Sequence, residues 1–223
     1  MNILLAVDAV VFGYQDAQLY LLLIRRLIPP FEGEWALPGG FVLPDESLED
    51  AVQRELREET GVAINYLEQL FTFGQPDRDP RQRVVSVAYF GMVNPSQFDL
   101  LAASDAADAQ WFPVTDLPKL AFDHTDIILY ATQRLRNKLT YEPIGIQLLH
   151  QEFLFSDLEK LYECILGRKI DRRNFRKKVM TFDILVETKI HHSAQKGRPG
   201  KKYRFDELKY KALKEKGFIF EIV

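Results

Sequence analysis

Apolar residues in the first part of the chain fall into short runs separated by polar, turn-like segments. Runs at residues 3–12 and 19–24, on either side of the turn-like stretch 13–16, predict two paired strands. Runs at residues 69–73 and 84–93 predict two more. The second of these is so rich in apolar and β-favouring residues that a central place in a sheet is expected.

Helical periodicity appears between these runs. Leu48, Val52 and Leu56 are spaced i, i+4 and i+8, which predicts a helix over about residues 48–60 with its apolar stripe against the sheet. Gly61 ends this helix. A last strand and a last helix of this part are predicted at residues 109–114 and 125–138.

The remaining third of the chain has a different pattern. Ser156 precedes Glu159 by three positions, the spacing of a capping box, and predicts a helix start. Gly167 ends that helix, and a second helix is predicted over residues 171–180. A two-stranded ribbon follows, with strands at residues 184–188 and 202–205. Two short helices and a hairpin in this order predict a winged helix-turn-helix.

Length and charge divide the chain in the same way. The 223 residues suffice for two domains, predicted at 1–140 and 141–223. The first contains 11 Lys and Arg against 20 Asp and Glu (−9), the second 18 against 12 (+6), which gives the total of −3. This asymmetry is expected of a metal-nucleotide domain joined to a nucleic-acid-binding domain, with ordinary charge scatter as the alternative.

Cysteine content and hydropathy indicate the compartment. Cys164 is the single cysteine, which excludes an internal disulfide and fits a reducing environment. No apolar stretch is long enough to span a bilayer, and the first residues predict a strand rather than a signal peptide. A cytoplasmic protein is therefore expected.

The clearest candidate chemistry lies on the helix predicted at 48–60. Glu55, Glu58 and Glu59 follow Arg54 at spacings that put three carboxylates within one arc of the helix surface. Mg²⁺ prefers oxygen ligands and is the natural partner of such a cluster. A solvated acidic face is the alternative.

Candidate ligand contacts lie on both sides of this helix. Gly39 and Gly40 allow a ligand to approach the backbone closely. The loop at 74–83 contains arginines, which can bind phosphate through two hydrogen bonds, although a rigid turn with internal ion pairs fits equally well. The three arginines are Arg78, Arg81 and Arg83. His124 could contact a ligand, but a role in helix capping or packing is favoured.

Basic residues of the second domain are concentrated on one helix and one hairpin tip. Lysine and arginine supply the phosphate contacts that dominate affinity for nucleic acid. Arg173 and Asn174 could read guanine or adenine edges in the major groove. A solvated surface is the alternative. The predicted DNA-contacting residues are Arg172, Arg173, Asn174, Arg176, Lys177, Lys196, Arg198 and Lys201.

The stretch from Gly40 to Val62, with Glu46 as an isolated acid, matches the Nudix box at every fixed position. The domain therefore resembles the Nudix superfamily. Further matching stretches lie in both halves, among them residues 76–81, 171–179 and 197–199. With them, the whole chain resembles the Nudix-related transcriptional regulators of NAD metabolism.

This resemblance implies a fold and a function. The expected fold class is α/β, a Nudix α/β/α sandwich followed by a winged helix-turn-helix domain. The expected function is regulation of transcription by a homodimer that senses ADP-ribose or a related nucleotide and binds double-stranded operator DNA. A related branch senses pentose sugars and controls their catabolism, and it remains a further alternative.

A Mg²⁺-dependent Nudix pyrophosphohydrolase is the second reading. Many regulators of this kind are thought to have lost box carboxylates, whereas this chain keeps the candidate catalytic set of Arg54, Glu55, Glu58 and Glu59. These ligands permit hydrolysis of ADP-ribose or another nucleoside diphosphate derivative without proving it. The regulator is favoured because a hydrolase has no need of a basic helix and hairpin tip.

Overall fold

The computed structural model describes residues 2–64, 67–98, 100, 106–192, 200–218 and 220–221. The chain divides into two compact units, one of Met1–Gln15 with Leu19–Arg134 and one of Asp16–Gln18 with Leu135–Val223. The boundary predicted after residue 140 falls in the same helix as this division, His124–Tyr141. Within the described ranges, no helix is both long and apolar enough to cross a membrane.

The first unit is built on a mixed seven-stranded sheet. The strands are β1 (Leu4–Gln15), β2 (Gln18–Arg26), β3 (Trp35–Ala36), β4 (Gly39–Phe41), β5 (Glu68–Phe73), β6 (Val84–Val93) and β7 (Ala106–Pro113). The path of the sheet runs β3-β2-β1-β6-β5, with β4 paired to β1 and β7 paired to β2. The long strands β1 and β6 are parallel neighbours in the middle of the sheet.

Helix α1 (Leu48–Thr60) has the bounds that the sequence predicts. The Ser47 side chain accepts a hydrogen bond from the Asp50 amide at 3.1 Å, and Gly61 ends the helix with a left-handed φ of +73°. Val52 and Leu56 are buried in the core that α1 forms with the sheet. The opposite side of α1 is left to carry its carboxylates.

The second unit contains a three-stranded antiparallel sheet and short helices. Helix α2 (His124–Tyr141) begins in the first unit and ends in the second. The sheet has the order β8-β10-β9. The other elements are β8 (Phe153–Leu154), α3 (Phe155–Leu166), α4 (Arg172–Thr181), β9 (Leu185–His192), β10 (Gly200–Phe205) and α5 (Glu207–Glu215).

Helices α3 and α4 pack through aromatic rings. Phe175 and Val179 of α4 are buried, as predicted, and the Phe175 ring lies 4.8 Å from that of Tyr162 on α3. The start of α3 differs from the prediction. Helix α3 begins at Phe155, so Ser156 lies within its first turn rather than before it. The Leu154 amide, just before the helix, donates to Asp157 Oδ2 at 3.0 Å.

Candidate functional site

A cavity of about 370 Å³ opens in the first unit between β1, β4, α1 and the loop after β5. It brings together most of the residues that the sequence singles out for chemistry. Those that line it are Gly39, Gly40, Glu55, Glu58, Glu59, Arg78, Arg81 and His124. Arg83 does not line it, because its side chain turns to the Gln75 carbonyl at 3.0 Å.

Arg54 is the organising cation beside the cavity. Its Nε and Nη2 donate to both oxygens of Glu46, at 2.9 and 2.6 Å. Its Nη1 donates to Glu55 Oε1 at 2.8 Å and to Glu58 Oε2 at 3.3 Å. The bonds from Arg54 hold the pKa of Glu46 down at about 2. The single positive charge of the guanidinium thus reduces the repulsion among three neighbouring carboxylates.

Glu59 faces inward rather than toward Arg54. Its Oε2 accepts from the Gly39 amide at 2.8 Å, and only 4% of the residue is exposed. This burial raises the pKa of Glu59 to about 8. The carboxyl is therefore mostly protonated at neutral pH as the chain stands.

The box carboxylates are not assembled as a metal cluster. In the part of the chain that the structure describes, no three His, Cys, Asp or Glu side chains are grouped to hold a metal ion. The reason is local, since Arg54 binds Glu55 and Glu58 while Glu59 turns to Gly39. The donor chemistry suits a hard divalent cation. The predicted metal site at these three glutamates stays a prediction.

Neighbouring atoms lie very close to the positions that a Cβ would take at Gly39 and Gly40. A Cβ on Gly39 would lie 2.1 Å from the Val7 carbonyl oxygen. A Cβ on Gly40 would lie 2.3 Å from Glu55 Oε1. The obstacle at Gly39 is backbone, so only glycine lets β4 run directly against β1. The obstacle at Gly40 is the end of the Glu55 side chain, which would have to move to admit a Cβ.

A buried charge network forms the other wall, and sequence reasoning did not find it. Arg78 binds Asp123 through two hydrogen bonds, at 2.9 and 2.7 Å, and lies 3.4 Å from Asp8. Ser86 Oγ donates to Asp8 at 2.5 Å. A polar residue inside the apolar run of β1 was the one available signal for Asp8.

His124 joins this network at the first turn of α2. Its Nδ1 accepts from the Leu37 amide at 2.9 Å, so the proton of the neutral ring sits on Nε2, which faces Asp8 Oδ1 at 3.4 Å. Burial lowers the pKa of His124, which favours this neutral form. His124 is thus packed in the cavity wall, and its side chain accepts from the Leu37 amide rather than from an amide of α2.

Aromatic rings and guanidinium groups meet at the cavity rim. The guanidinium carbons of Arg26 and Arg81 lie 4.9 and 5.9 Å from the centre of the Phe122 ring. Phe122 has a left-handed φ of +52°, which is uncommon for an aromatic residue. Arg81 also binds Asp79 through two hydrogen bonds, at 3.0 and 2.8 Å. Neither Arg26 nor Phe122 was selected from the sequence.

The predicted DNA-binding helix, α4, is exposed on its basic face. Arg173 and Lys177 extend from it, and within the described residues neither side chain has a hydrogen-bond or ion-pair partner. Arg172 instead binds Glu159 at 2.8 Å, and Arg176 donates to the Tyr203 hydroxyl at 3.0 Å. The basic face is thus partly free and partly tied to its own domain.

Two further residues that were predicted to contact DNA, Asn174 and Lys201, are bound within their own domain. Asp171 caps α4 by accepting from two backbone amides, at 3.0 and 3.1 Å, and its second oxygen holds the Asn174 side chain at 2.8 Å. Lys201 pairs with Glu187 across the β9–β10 hairpin at 2.8 Å. Lys196 and Arg198 lie outside the described residues.

Comparison with known proteins identifies the class to which this fold and these sites belong. The NUDIX domain model matches residues 3–132, and the model of the NrtR DNA-binding winged helix domain matches residues 145–205. The chain belongs to the Nudix family, in the group of transcriptional regulators that carry an NrtR-type winged helix.

Two relatives extend over both units, and a third covers the Nudix domain. The chain is 36% identical to the ADPR responsive transcriptional repressor NtrR of Acinetobacter baylyi, covering 91% of this chain and 82% of that protein. The Shewanella oneidensis NrtR complexed with a 27mer DNA is 37% identical, with a TM-score of 0.77 over 90% of this chain and 93% of that one. The NUDIX domain of the Shewanella protein complexed with ADP ribose is 42% identical, with a TM-score of 0.57 over 60% of this chain and 90% of that one.

Proposed function

We propose that this protein is an ADP-ribose-responsive transcriptional repressor. Its Nudix cavity binds ADP-ribose, and its winged helix binds operator DNA as part of a homodimer in the cytoplasm. The observation that carries the proposal is the exposed basic face of α4 in a chain that also holds a complete Nudix cavity. The Acinetobacter relative, named as an ADPR responsive repressor, supports the direction of regulation.

The chemistry of the cavity suits this ligand. ADP-ribose combines a purine ring, two riboses and a pyrophosphate, so it calls for aromatic surface and cationic donors together. Arg81 keeps about a third of its side chain exposed and lies near the rings of Phe41 and Phe122. Both Arg78 and Arg81 are paired with aspartates, but Arg78 is buried with Asp123 whereas the Arg81 guanidinium is partly exposed, which makes Arg81 the better phosphate donor.

Thermal unfolding of the full chain tests the ligand. Millimolar ADP-ribose is expected to raise the melting temperature of the Nudix transition by roughly 5–10 °C, as ligand at about a hundred times its Kd does for a domain of this size. Ribose and arabinose at the same concentration serve as controls. A shift with a pentose and none with ADP-ribose would favour the sugar-sensing branch.

A gel-shift assay tests the DNA-binding surface. We expect Arg173→Ala combined with Arg176→Ala to abolish operator binding while ADP-ribose still raises the melting temperature. Lys119→Ala is the control, because Lys119 is an exposed cation of the Nudix unit. Operator binding that survives the double change would contradict the assignment of α4 to DNA.

Hydrolysis of the sensed nucleotide is a second candidate function, favoured by the intact box. Hydrolases of the Nudix family generally use a divalent metal such as Mg²⁺. Here Glu55, Glu58 and Glu59 would hold the ion once Arg54 releases the first two. The ion would neutralise charge on a bound pyrophosphate. Arg54 would keep its two bonds to Glu46 and so remain beside the site.

The hydrolase candidate has its own test. Glu58→Gln is expected to remove any Mg²⁺-dependent release of AMP from ADP-ribose, because it deletes one charged ligand while keeping the shape of the side chain. Glu49→Gln on the same helix is the control, since Glu49 does not line the cavity. Equal turnover in the Glu58 variant would show that the box is not the metal site.

A further inference from the structure

Arg176 differs from its neighbours on the basic face of α4. Its Nη2 donates to the Tyr203 hydroxyl at 3.0 Å, and its guanidinium carbon lies 4.5 Å from the centre of the Phe155 ring. The same carbon lies 5.9 Å from the Tyr203 ring. The planar cation is therefore fixed by a hydrogen bond and by two aromatic faces at once.

The two partners of Arg176 belong to different elements of the winged helix. Phe155 is the first residue of α3, and Tyr203 lies in the middle strand of the three-stranded sheet, β10. Both residues are buried, and their rings lie 6.1 Å apart. Arg176 thus ties the exposed helix α4 to the core that supports it and to one strand of the hairpin.

Tyr203 lies beside an irregularity of that hairpin. The pairing of β10 with β9 shifts register between Lys201 and Tyr203. Such a shift bends a strand and weakens its ladder of backbone hydrogen bonds. The contact between Arg176 and Tyr203 therefore helps to fix the position of β10 where regular strand pairing is interrupted.

We propose that Arg176 is a positioning residue that sets the angle between α4 and the hairpin through Tyr203 and Phe155, whereas Arg173 and Lys177 make the phosphate contacts. This inference rests on the proposed DNA binding. Arg173 and Lys177 would then contact DNA directly, whereas Arg176 would hold α4 in the orientation that allows those contacts.

Salt dependence separates the two roles. A side chain that neutralises one phosphate contributes about 0.9 to the slope of log K against log salt, and its loss weakens binding to all sequences. A residue that acts by alignment changes affinity while the number of neutralised phosphates, and hence the slope, stays the same. Lysine can replace arginine at a simple phosphate contact but not where a planar guanidinium stacks on rings.

The experiment measures binding of the full chain to a duplex that the wild-type protein selects from a random-sequence pool, over a series of salt concentrations. Tyr203→Phe and Arg176→Lys are each expected to weaken binding roughly three- to tenfold with an unchanged slope. The double variant should bind no more weakly than either single one. Two changes of Arg173, on the same helix, serve as controls. Arg173→Lys should keep near-normal affinity, and Arg173→Met should lower the slope of log K against log salt by about 0.9.

Chemical unfolding of the wild type, Tyr203→Phe, Arg176→Lys and their double variant measures the contact without DNA. The Arg176 and Tyr203 changes should be non-additive in the unfolding of the winged helix, because each removes the same contact. Additive effects there, or normal DNA affinity for Arg176→Lys, would overturn the positioning role. Non-additive unfolding in a wild-type chain that selects no duplex would overturn the proposed DNA binding while leaving the contact itself established.

Discussion

The two charged regions of this protein are built in opposite ways. In the Nudix cavity, Asp8, Arg78 and Asp123 are largely buried and hold one another at hydrogen-bond distances. On α4, Arg173 and Lys177 are exposed and have no partner among the described residues. One region has its charges compensated from within, and the other presents them to solvent.

This difference follows from what each region has to bind. A buried charge is stable only when it is paired and hydrogen-bonded, so the charges of the cavity need partners within the fold. DNA offers a repeating line of phosphates, so exposed and mobile cations can meet it without a preformed pocket. The cavity charges are therefore held by partners within the fold, and on the α4 face Arg172 and Arg176 are held in the same way.

Arg78→Met is expected to break the cavity most severely. Removing this guanidinium leaves Asp8 and Asp123 buried without their cation, which destabilises a domain by about 3–5 kcal/mol. Both tryptophans, Trp35 and Trp111, lie in the Nudix unit, so urea unfolding followed by fluorescence reports on it. Arg57→Met, at an exposed site on α1, is the control and should change little. A loss below about 1 kcal/mol for Arg78→Met would mean that the network is not fixed as described.

Burial of the Glu59 carboxyl makes the stability of the Nudix unit depend on pH. In the unfolded chain its carboxyl ionises near pH 4.5, whereas the folded chain keeps it neutral to about pH 8. Between these values folding takes up a proton, so the free energy of unfolding falls as the pH rises. Glu59→Gln should remove this fall and stabilise the Nudix unit at pH 8 by about 1–3 kcal/mol.

The measurement is urea unfolding across pH 5–9 in EDTA, which keeps divalent cations away from the carboxylates. Glu58→Gln is the matched control, because half of the Glu58 side chain is exposed. Parallel pH profiles for the wild type and Glu59→Gln would show that Glu59 is ionised in the folded protein.

Lys177→Met tests the exposed region and should have the smallest effect on stability. An exposed cation without a partner contributes within about 0.5 kcal/mol to unfolding. Its contribution should instead appear in DNA binding, as a slope of log K against log salt that is lower by about 0.9. A large loss of stability with an unchanged slope would reverse the distinction drawn between the two regions.

Features that depend on neighbouring residues were predictable from the sequence. Helix α1 has the predicted ends because Ser47 and Gly61 fix them locally, and β6 spans the predicted residues 84–93 because that run is nearly all apolar. The carboxylates on α1 and the basic residues on α4 follow from helical spacing alone. The resemblance to the Nudix regulators rested on such local patterns.

Features that depend on distant partners were not predictable. Asp8 meets Ser86 and Arg78 from positions some seventy or more residues away along the chain. Arg83 looked equivalent to Arg78 in the sequence, yet it turns to a backbone carbonyl of its own loop. Ser156 was predicted to begin α3, yet the helix begins at Phe155 and the Leu154 amide donates to the Asp157 carboxylate. Spacing identifies candidates for these roles, and only the packed chain decides among them.

The contact between Gly40 and Glu55 also bears on how such a protein can evolve. A Cβ at position 40 would have to push aside a carboxylate that Arg54 holds at 2.8 Å, so alanine there is damaging while Glu55 is present. Once residue 55 has become smaller, the same alanine no longer meets that carboxylate. The order of the two mutations therefore matters. A lineage that first loses the Glu55 carboxylate can then replace Gly40. After that replacement, a glutamate at position 55 is hard to regain.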